Sequence, residues 1–372
     1  MRPTKAIIQL SAIRNNLLEV RKRIPITTEI MAVVKANAYG HGAVEVSKFI
    51  IKEKLATYFG VAIIEEAIQL RKKKITEPIL VFTAPIVSQI KEFLKYNSEM
   101  TLCSLEIAKR ANSIAAKFGK KLTVHIKVDT GMGRIGVSIK DAVNLVERVS
   151  MMKHINLKGI YTHFASADNS DLTFARMQLK EFKKILTEIA LRGINIPIHH
   201  SANSPAILRL PESHMNLVRP GIMLYGYMGN KKLERRISLK PALIISSTIT
   251  FLKNVPKNTS ISYNHRYITK SASLIGTLPI GYADGIPRGL TNKLEVIHNG
   301  KIYPSVGTIC MDQIMVNFGN EKGISVGDEV ILIGESKKKK LTAWDLSKAV
   351  DSIPYEICTR FTYRIPRLYI KQ

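Results

Sequence analysis

Cysteine, tryptophan and acidic side chains are all scarce in this chain. Its three cysteines, Cys103, Cys310 and Cys358, are odd in number and far apart. That spacing excludes a disulfide framework and offers no zinc-ligand set, and it predicts reduced thiols in a cytoplasm. No metal site is expected. No apolar run approaches the roughly 18 to 20 residues that a membrane span needs, so no membrane association is expected. The first residues, Met1-Arg-Pro-Thr-Lys-Ala-Ile-Ile, lack the long apolar stretch of a secretory signal. Acidic residues number 29 against 56 lysines and arginines, a net charge of +27. Such a charge invites a polyanion-binding reading. The basic residues are scattered, however, and the short runs Arg71–Lys74 and Lys337–Lys340 are not interleaved with aromatics, which make up 7% of the chain. We expect a solvated, lysine-rich surface with non-specific attraction to polyanions at low salt and no specific nucleic-acid partner.

What the chain does have is alternation. Apolar strand candidates at 29–35, 58–63, 79–83, 100–104, 122–129, 157–165, 196–201 and 215–226 are separated by helical patterns. In 173–192, Phe174, Met177, Phe182, Ile185 and Ile189 share one side of a helix. A helix is also expected at 12–24, with Ser11 as its cap. About eight strands with crossover helices in some 230 residues is the arithmetic of a (β/α)8 TIM-type barrel. After Tyr227 the pattern changes to a basic linker and then short strands at 243–251, 273–278, 294–298, 314–317 and 329–333. Asn299-Gly300 reads as a type I′ hairpin turn. The expected fold is therefore α/β plus all-β: a barrel over 1–234 and a C-terminal β-strand domain over 235–372.

Polar residues fall where a barrel keeps its chemistry, at the C-terminal ends of its strands. Met31-Ala-Val-Val-Lys35-Ala-Asn-Ala-Tyr39-Gly-His-Gly42 delivers a lysine to the end of a buried strand, before a glycine-flanked loop. Burial disfavours an ammonium group, and a lysine held neutral is what a Schiff base to an aldehyde requires. A surface lysine at a strand end is the plainer alternative. Arg134 follows the fifth strand, His163 ends the sixth, Asn203-Ser204 follows the seventh and Arg219-Pro-Gly-Ile222 interrupts the eighth. Arg219 cannot lose its proton and must face an acceptor; a structural pairing with a carboxylate would also satisfy it. Ser204 and the backbone at Gly221 and Ile222 can hold a phosphate without a mobile cation. His163 could equally be a hydrogen-bonded core histidine, and Lys127 could snorkel to solvent.

In order along the chain, these motifs resemble those of the alanine racemases. Ala32–Gly42 is similar to that family's pyridoxal-phosphate attachment motif. Lys127-Val-Asp-Thr-Gly-Met-Gly-Arg134, Arg219–Gly226, Gly281-Tyr-Ala-Asp-Gly285, Cys310-Met-Asp-Gln313 and Tyr355-Glu-Ile357 match further motifs. The resemblance implies a pyridoxal 5′-phosphate enzyme that interconverts L- and D-alanine with two bases, in a cytoplasmic homodimer with composite active sites. It implies that Lys35 carries the cofactor and acts as one base, and that Tyr263 of the C-terminal domain supplies the second base to the partner subunit. Tyr39, Asn203, Ser204, Gly221, Ile222 and Tyr355 match the phosphate-binding set, and Arg219 matches the partner of the ring nitrogen. Arg134 matches a residue that meets the cofactor and the substrate carboxylate, and Met311 one that adds a backbone contact from the other chain. His163 matches a residue near the ring and the tyrosine, and Lys127 a lysine that many members carry carbamylated. The implied role is supply of D-alanine for bacterial peptidoglycan. A broad-specificity racemase on the same scaffold is the alternative.

Two positions depart from the family pattern. Asn264 replaces the usual glycine after the tyrosine, and asparagine tolerates a left-handed backbone. Thr308 stands where many members have a basic residue.

Overall fold

The computed structural model describes residues 2–371, which form two compact units. One comprises Arg14–Ala38 with Ala43–Lys240. The other comprises the segment up to Ile13, Tyr39–Gly42, and the chain from Pro241 onward. The first strand, β1 (Lys5–Gln9), joins the second unit because it pairs with strands that begin at Leu243 and Arg367.

The first unit is the eight-stranded parallel barrel. Its strands are β2 (Glu29–Val33), β3 (Tyr58–Val61), β4 (Ile79–Val81), β5 (Glu99–Leu102), β6 (Leu122–Asp129), β8 (Ile155–Tyr161), β9 (Ile198–His200) and β10 (Leu217–Val218); the two-residue β7 (Val137–Ser138) pairs only with β6. The sheet runs β10-β2-β3-β4-β5-β6-β8-β9, and a parallel bridge between Asn203 and Arg219 links the two ends of that path. Strands β3, β4 and β5 are buried at every position, as expected where helices cover the outer face of a parallel sheet. Inside, Met31, Tyr58, Leu80, Tyr161 and Leu217 form one cluster against Phe82 and Ile198. Burying each large side chain is worth about 1.5–3 kcal/mol. The covering helices arise from local sequence. Helix Ile139–Ser150 buries Ala142, Val143, Leu145, Val146 and Val149, an apolar face at helical spacing. Helix Leu105–Lys117 starts at Ser104, whose hydroxyl accepts the Ile107 N–H at 3.3 Å.

Several boundaries differ from expectation. The first barrel strand stops at Val33, so Lys35 lies beyond it. The eighth is only Leu217–Val218, because Pro220 cannot donate and Ile222–Tyr225 coils into a 3-10 turn. The helix expected at 12–24 runs over Leu10–Arg21.

The second unit is a mixed sheet. Its remaining strands are β11 (Leu243–Thr248), β12 (Phe251–Val255), β13 (Ser273–Leu278), β14 (Glu295–His298), β15 (Lys301–Val306), β16 (Ile314–Asn317), β17 (Glu329–Ser336), β18 (Lys339–Leu341) and β19 (Arg367–Ile370). The order is β12-β13-β16-β15-β14-β17-β11-β1-β19, with β18 on β17. Asn299 and Gly300 join β14 to β15 with φ of 47° and 80°, as a type I′ turn requires. The run Lys337–Lys340 sits at the β17–β18 hairpin, and in the other run Arg71 donates to the carbonyls of Ile75, Glu77, Tyr96 and Asn97.

Gly40 takes a left-handed φ of 85°, and a Cβ there would lie 2.1 Å from the Cys358 carbonyl oxygen. Both strains act on Gly40→Ala. We expect a loss of about 2–4 kcal/mol in urea unfolding; an unchanged midpoint would contradict the packing described.

Candidate active site

Lys35 opens an unusual piece of backbone. Ala36, Asn37, Ala38 and Tyr39 all have φ between 51° and 55°, a left-handed turn built from non-glycine residues. Such conformations cost roughly 1–2 kcal/mol per residue, so the surroundings must hold them. The Ala38 N–H donates to the Val34 carbonyl at 2.8 Å, Glu66 accepts the Ala36 N–H, and Asn37 Oδ1 accepts from Ala43 N–H at 2.9 Å. The strain is spent aiming one side chain. Burial, and then the Arg134 guanidinium, hold the half-buried Lys35 amine below its ordinary pKa, against the opposing pull of Glu66.

Three further cations gather at the same end of the barrel. Lys127 is buried, not snorkelled; its Nζ donates to the Val128 carbonyl at 3.0 Å and lies 5.4 Å from the Tyr161 ring centroid. Burial and then Arg219 bring its pKa down to about 7. Arg134 lies on a loop organised by Asp129, whose Oδ1 accepts the N–H groups of Gly131, Met132 and Gly133 at 2.8–3.1 Å. Arg219 is buried inside the unit and still charged near neutrality, although burial lowers its pKa to about 10. Its Nη2 donates to the carbonyls of Thr162 at 2.8 Å and Ser201 at 3.0 Å, and its Nη1 donates to His200 Nδ1 at 2.8 Å. Among the described residues no carboxylate touches it, so carbonyls and an imidazole, not a structural Arg–carboxylate pair, hold this residue. His163 Nδ1 is 3.5 Å from Arg219 Nη2, and burial with the surrounding cations keeps this imidazole well below its ordinary pKa.

The turns after β9 and β10 come together. Asn203 caps the short helix Ser204–Arg209 by accepting the Ala206 N–H at 3.2 Å, and the Ser204 hydroxyl accepts the Gly221 N–H at 2.8 Å. Ser204, Gly221 and Ile222 are thus brought together, the last two just after Arg219 in sequence, with the Gly221 N–H on the Ser204 oxygen and the Ser204 hydroxyl hydrogen left to donate; the same unit carries Lys35, whose ammonium form is disfavoured. This donor set suits a phosphorylated aromatic aldehyde such as pyridoxal phosphate: uncharged donors for the phosphate, an N–H for a ring nitrogen, an amine for the aldehyde.

Tyr39, Tyr263, Met311 and Tyr355 belong to the second unit. The Tyr39 and Tyr355 rings lie 6.1 Å apart at 54°. Tyr263 is 66% exposed and sits on a loop with Ser262, Asn264 and His265 all at positive φ; Asn264, at 64°, takes the left-handed conformation expected of it. Thr308 braces that loop: its hydroxyl donates to the Tyr263 carbonyl at 3.0 Å. Met311 is 53% exposed, and its carbonyl accepts the Ala283 N–H at 3.0 Å. Asp284 orders this segment from beneath. It is buried, holds both Nη atoms of Arg2 at 2.6–2.7 Å, and accepts the Gly281 N–H at 3.0 Å.

Sequence reading missed Glu99, His125, His200 and Tyr161, which back Arg219. A signal was available: His125 and Lys127 are two residues apart in a buried strand, so both point to the same face of the sheet.

The alanine racemase N-terminal domain model matches residues 8–229, and the C-terminal domain model matches 242–369. The chain belongs to the alanine racemase family. It is 42% identical to the alanine racemase of Carboxydothermus hydrogenoformans, with 100% of both chains covered. A solved alanine racemase structure from Clostridium difficile superposes with a TM-score of 0.96 at 38% identity, covering 100% of this chain and 97% of that one. A histidine racemase from Leuconostoc mesenteroides shares the fold at a TM-score of 0.91 and 28% identity, covering 100% and 98%.

Burial also holds His125 and His200 below their ordinary values. An unfolded chain protonates such histidines first as pH falls, so their contribution to stability is present above about pH 6.5 and lost below it. The slope approaches about 1.4 kcal/mol per pH unit for each. Urea midpoints should therefore fall between pH 7.5 and pH 5.5; a flat profile would contradict neutral burial.

Proposed function

We propose that this protein is a pyridoxal-phosphate-dependent alanine racemase that interconverts L- and D-alanine through two bases, Lys35 and Tyr263. The observation that carries the reading is the cation cluster around Lys35, in a chain whose whole length matches the family. Ser204, Gly221, Ile222, Asn203, Tyr39 and Tyr355 would hold the phosphate, Arg219 would donate to the ring nitrogen, and Lys35 would join the aldehyde. When bound, the cofactor makes the α-proton of an amino acid removable by drawing electron density from Cα. The chain's own residues do the rest. Lys35 Nζ takes or returns that proton on one face, and the Tyr263 hydroxyl does so on the other. Arg134 fixes the substrate carboxylate, aided by the Met311 backbone. His163, held neutral by burial and the surrounding cations, would hydrogen-bond the tyrosine without adding another charge. Lys127, whose pKa of about 7 leaves part of its amine unprotonated near neutrality, would attack carbon dioxide and lose a proton, giving an anion to brace Arg134.

Tyr263 and Met311 reach the chemistry, in this reading, from the partner of a homodimer. The exposure of Tyr263, Tyr282, Met311, Ile353 and Tyr363 on the second unit supports such an interface. We place the enzyme in a bacterial cytoplasm, supplying D-alanine for peptidoglycan. No helix among the described residues is long and apolar enough to cross a membrane. Neither a broad-specificity racemase nor a polyanion-binding protein is favoured, since the relatives named above with the highest identity are alanine racemases.

Tyr263→Phe separates the two bases. We expect racemisation to fall by about 10²–10⁴-fold, while the α-proton of D-alanine still exchanges with deuterated water through Lys35. Retained racemisation would remove Tyr263 from the mechanism, and borohydride trapping of the cofactor anywhere but Lys35 would overturn the reading. With ¹³C-labelled bicarbonate, Lys127 should give a carbamate carbon resonance that Lys127→Ala lacks; the same resonance in both proteins would refute it.

A further inference from the structure

Behind Arg219 a line of buried polar groups crosses the barrel interior toward the opposite strand ends. His200 ends β9, His125 sits in the middle of β6, and Glu99 begins β5. His200 Nε2 is 3.0 Å from His125 Nδ1, and His125 Nε2 is 2.9 Å from Glu99 Oε2. The Glu99 carboxylate also accepts from Lys158 Nζ at 2.7 Å through Oε1, and from the Tyr58 hydroxyl. Both imidazoles are wholly buried; His200 stacks on Tyr161 with centroids 4.6 Å apart at 12°. At Gly159 a Cβ would lie 2.2 Å from His125 Nδ1, so this neighbour of the line has to be glycine.

Donor arithmetic gives the line a direction. A guanidinium has no acceptor, so His200 Nδ1 must accept, and the proton of the neutral ring is on Nε2. That proton points at His125 Nδ1, which must accept in turn. The His125 proton is therefore on Nε2 and is donated to Glu99. A charge on either imidazole would set two N–H groups against each other. Each step fixes the next, and only an ionised carboxylate can end the sequence with an acceptor for His125, Tyr58 and Lys158 together.

We propose that Glu99 is a positioning residue for the racemase reaction: through His125 and His200 it fixes the proton arrangement and orientation of the Arg219 guanidinium. No proton travels along the line. Its use is to aim one guanidinium edge and to balance, at a distance, a cation that has no carboxylate in contact. The inference rests on the reading that Arg219 serves the cofactor ring.

Glu99→Gln keeps the side chain's shape but leaves one acceptor oxygen for three donors. The test combines histidine side-chain ¹⁵N shifts, on the protein with and without pyridoxal phosphate, with steady-state racemisation of alanine. In the unaltered protein both His125 and His200 should be neutral with the proton on Nε2. In Glu99→Gln that pattern should be lost, with kcat down by about tenfold or more and KM within about twofold. A proton on Nδ1 of either histidine in the unaltered protein overturns the proposal, and this holds even if the variant does not fold. So does a kcat within about twofold of the original in Glu99→Gln, or a fall in kcat with both tautomers unchanged. Absence of racemase activity in the unaltered protein would count against the functional reading; the tautomers of the cofactor-free protein would still decide the chain.

Discussion

Most of this site follows from one buried guanidinium. Arg219 cannot discharge, so the fold surrounds it with acceptors: two carbonyls and an imidazole rather than a carboxylate. A carboxylate in contact would have offset its charge and removed its share of the shifts at Lys127 and His163, leaving only those caused by burial and the other cations. Without one, its field reaches Lys127 and His163, and Arg134 in turn acts on Lys35. Desolvation is the larger cause at each of these three groups; the cations push in the same direction. The result is two lysines whose ammonium forms are disfavoured and a histidine kept neutral, a shift in the direction that amine chemistry on a carbonyl compound needs.

Backbone geometry serves the same end. Left-handed φ values at Ala36 through Tyr39 are costly, and the carboxylate of Glu66 and the amide of Asn37 are committed to keeping them. Asp129 performs the same task for the loop carrying Arg134, and Asp284 for the segment carrying Met311. In a chain this poor in acid, several of its carboxylates are used to shape backbone around the cations. That division of labour explains how a strongly basic protein keeps its site residues in fixed positions.

Much of this was legible in the sequence. The strand count gave the barrel, because parallel strands covered on both faces are continuous apolar runs that alternate with helical patterns. Ala32–Gly42 marked Lys35, since a lysine following four apolar residues is costly unless it is used. Other features were hidden because they depend on long-range pairing. Lys5–Gln9 reads as an ordinary first strand, and only its partners near residues 243 and 370 place it in the second unit. The left-handed turn at 36–39 carries no glycine to announce it. Glu99, His125 and His200 are 26 and 75 residues apart, and nothing local says that they share a barrel interior. Their meaning appears only when Arg219 is seen to end the line.

The central claim is that a cation-rich, desolvated barrel end holds Lys35 and Lys127 as poor ammonium groups. The direct measurement is a pH titration of the lysine side-chain ¹⁵N resonances on the cofactor-free protein in bicarbonate-free buffer, which keeps both groups as amines, assigned by Lys35→Arg and Lys127→Arg. The account predicts that Lys127 loses its proton near pH 7 and that Lys35 does so below the ordinary lysine value of about 10.4. Two ordinary titrations near 10 would contradict it.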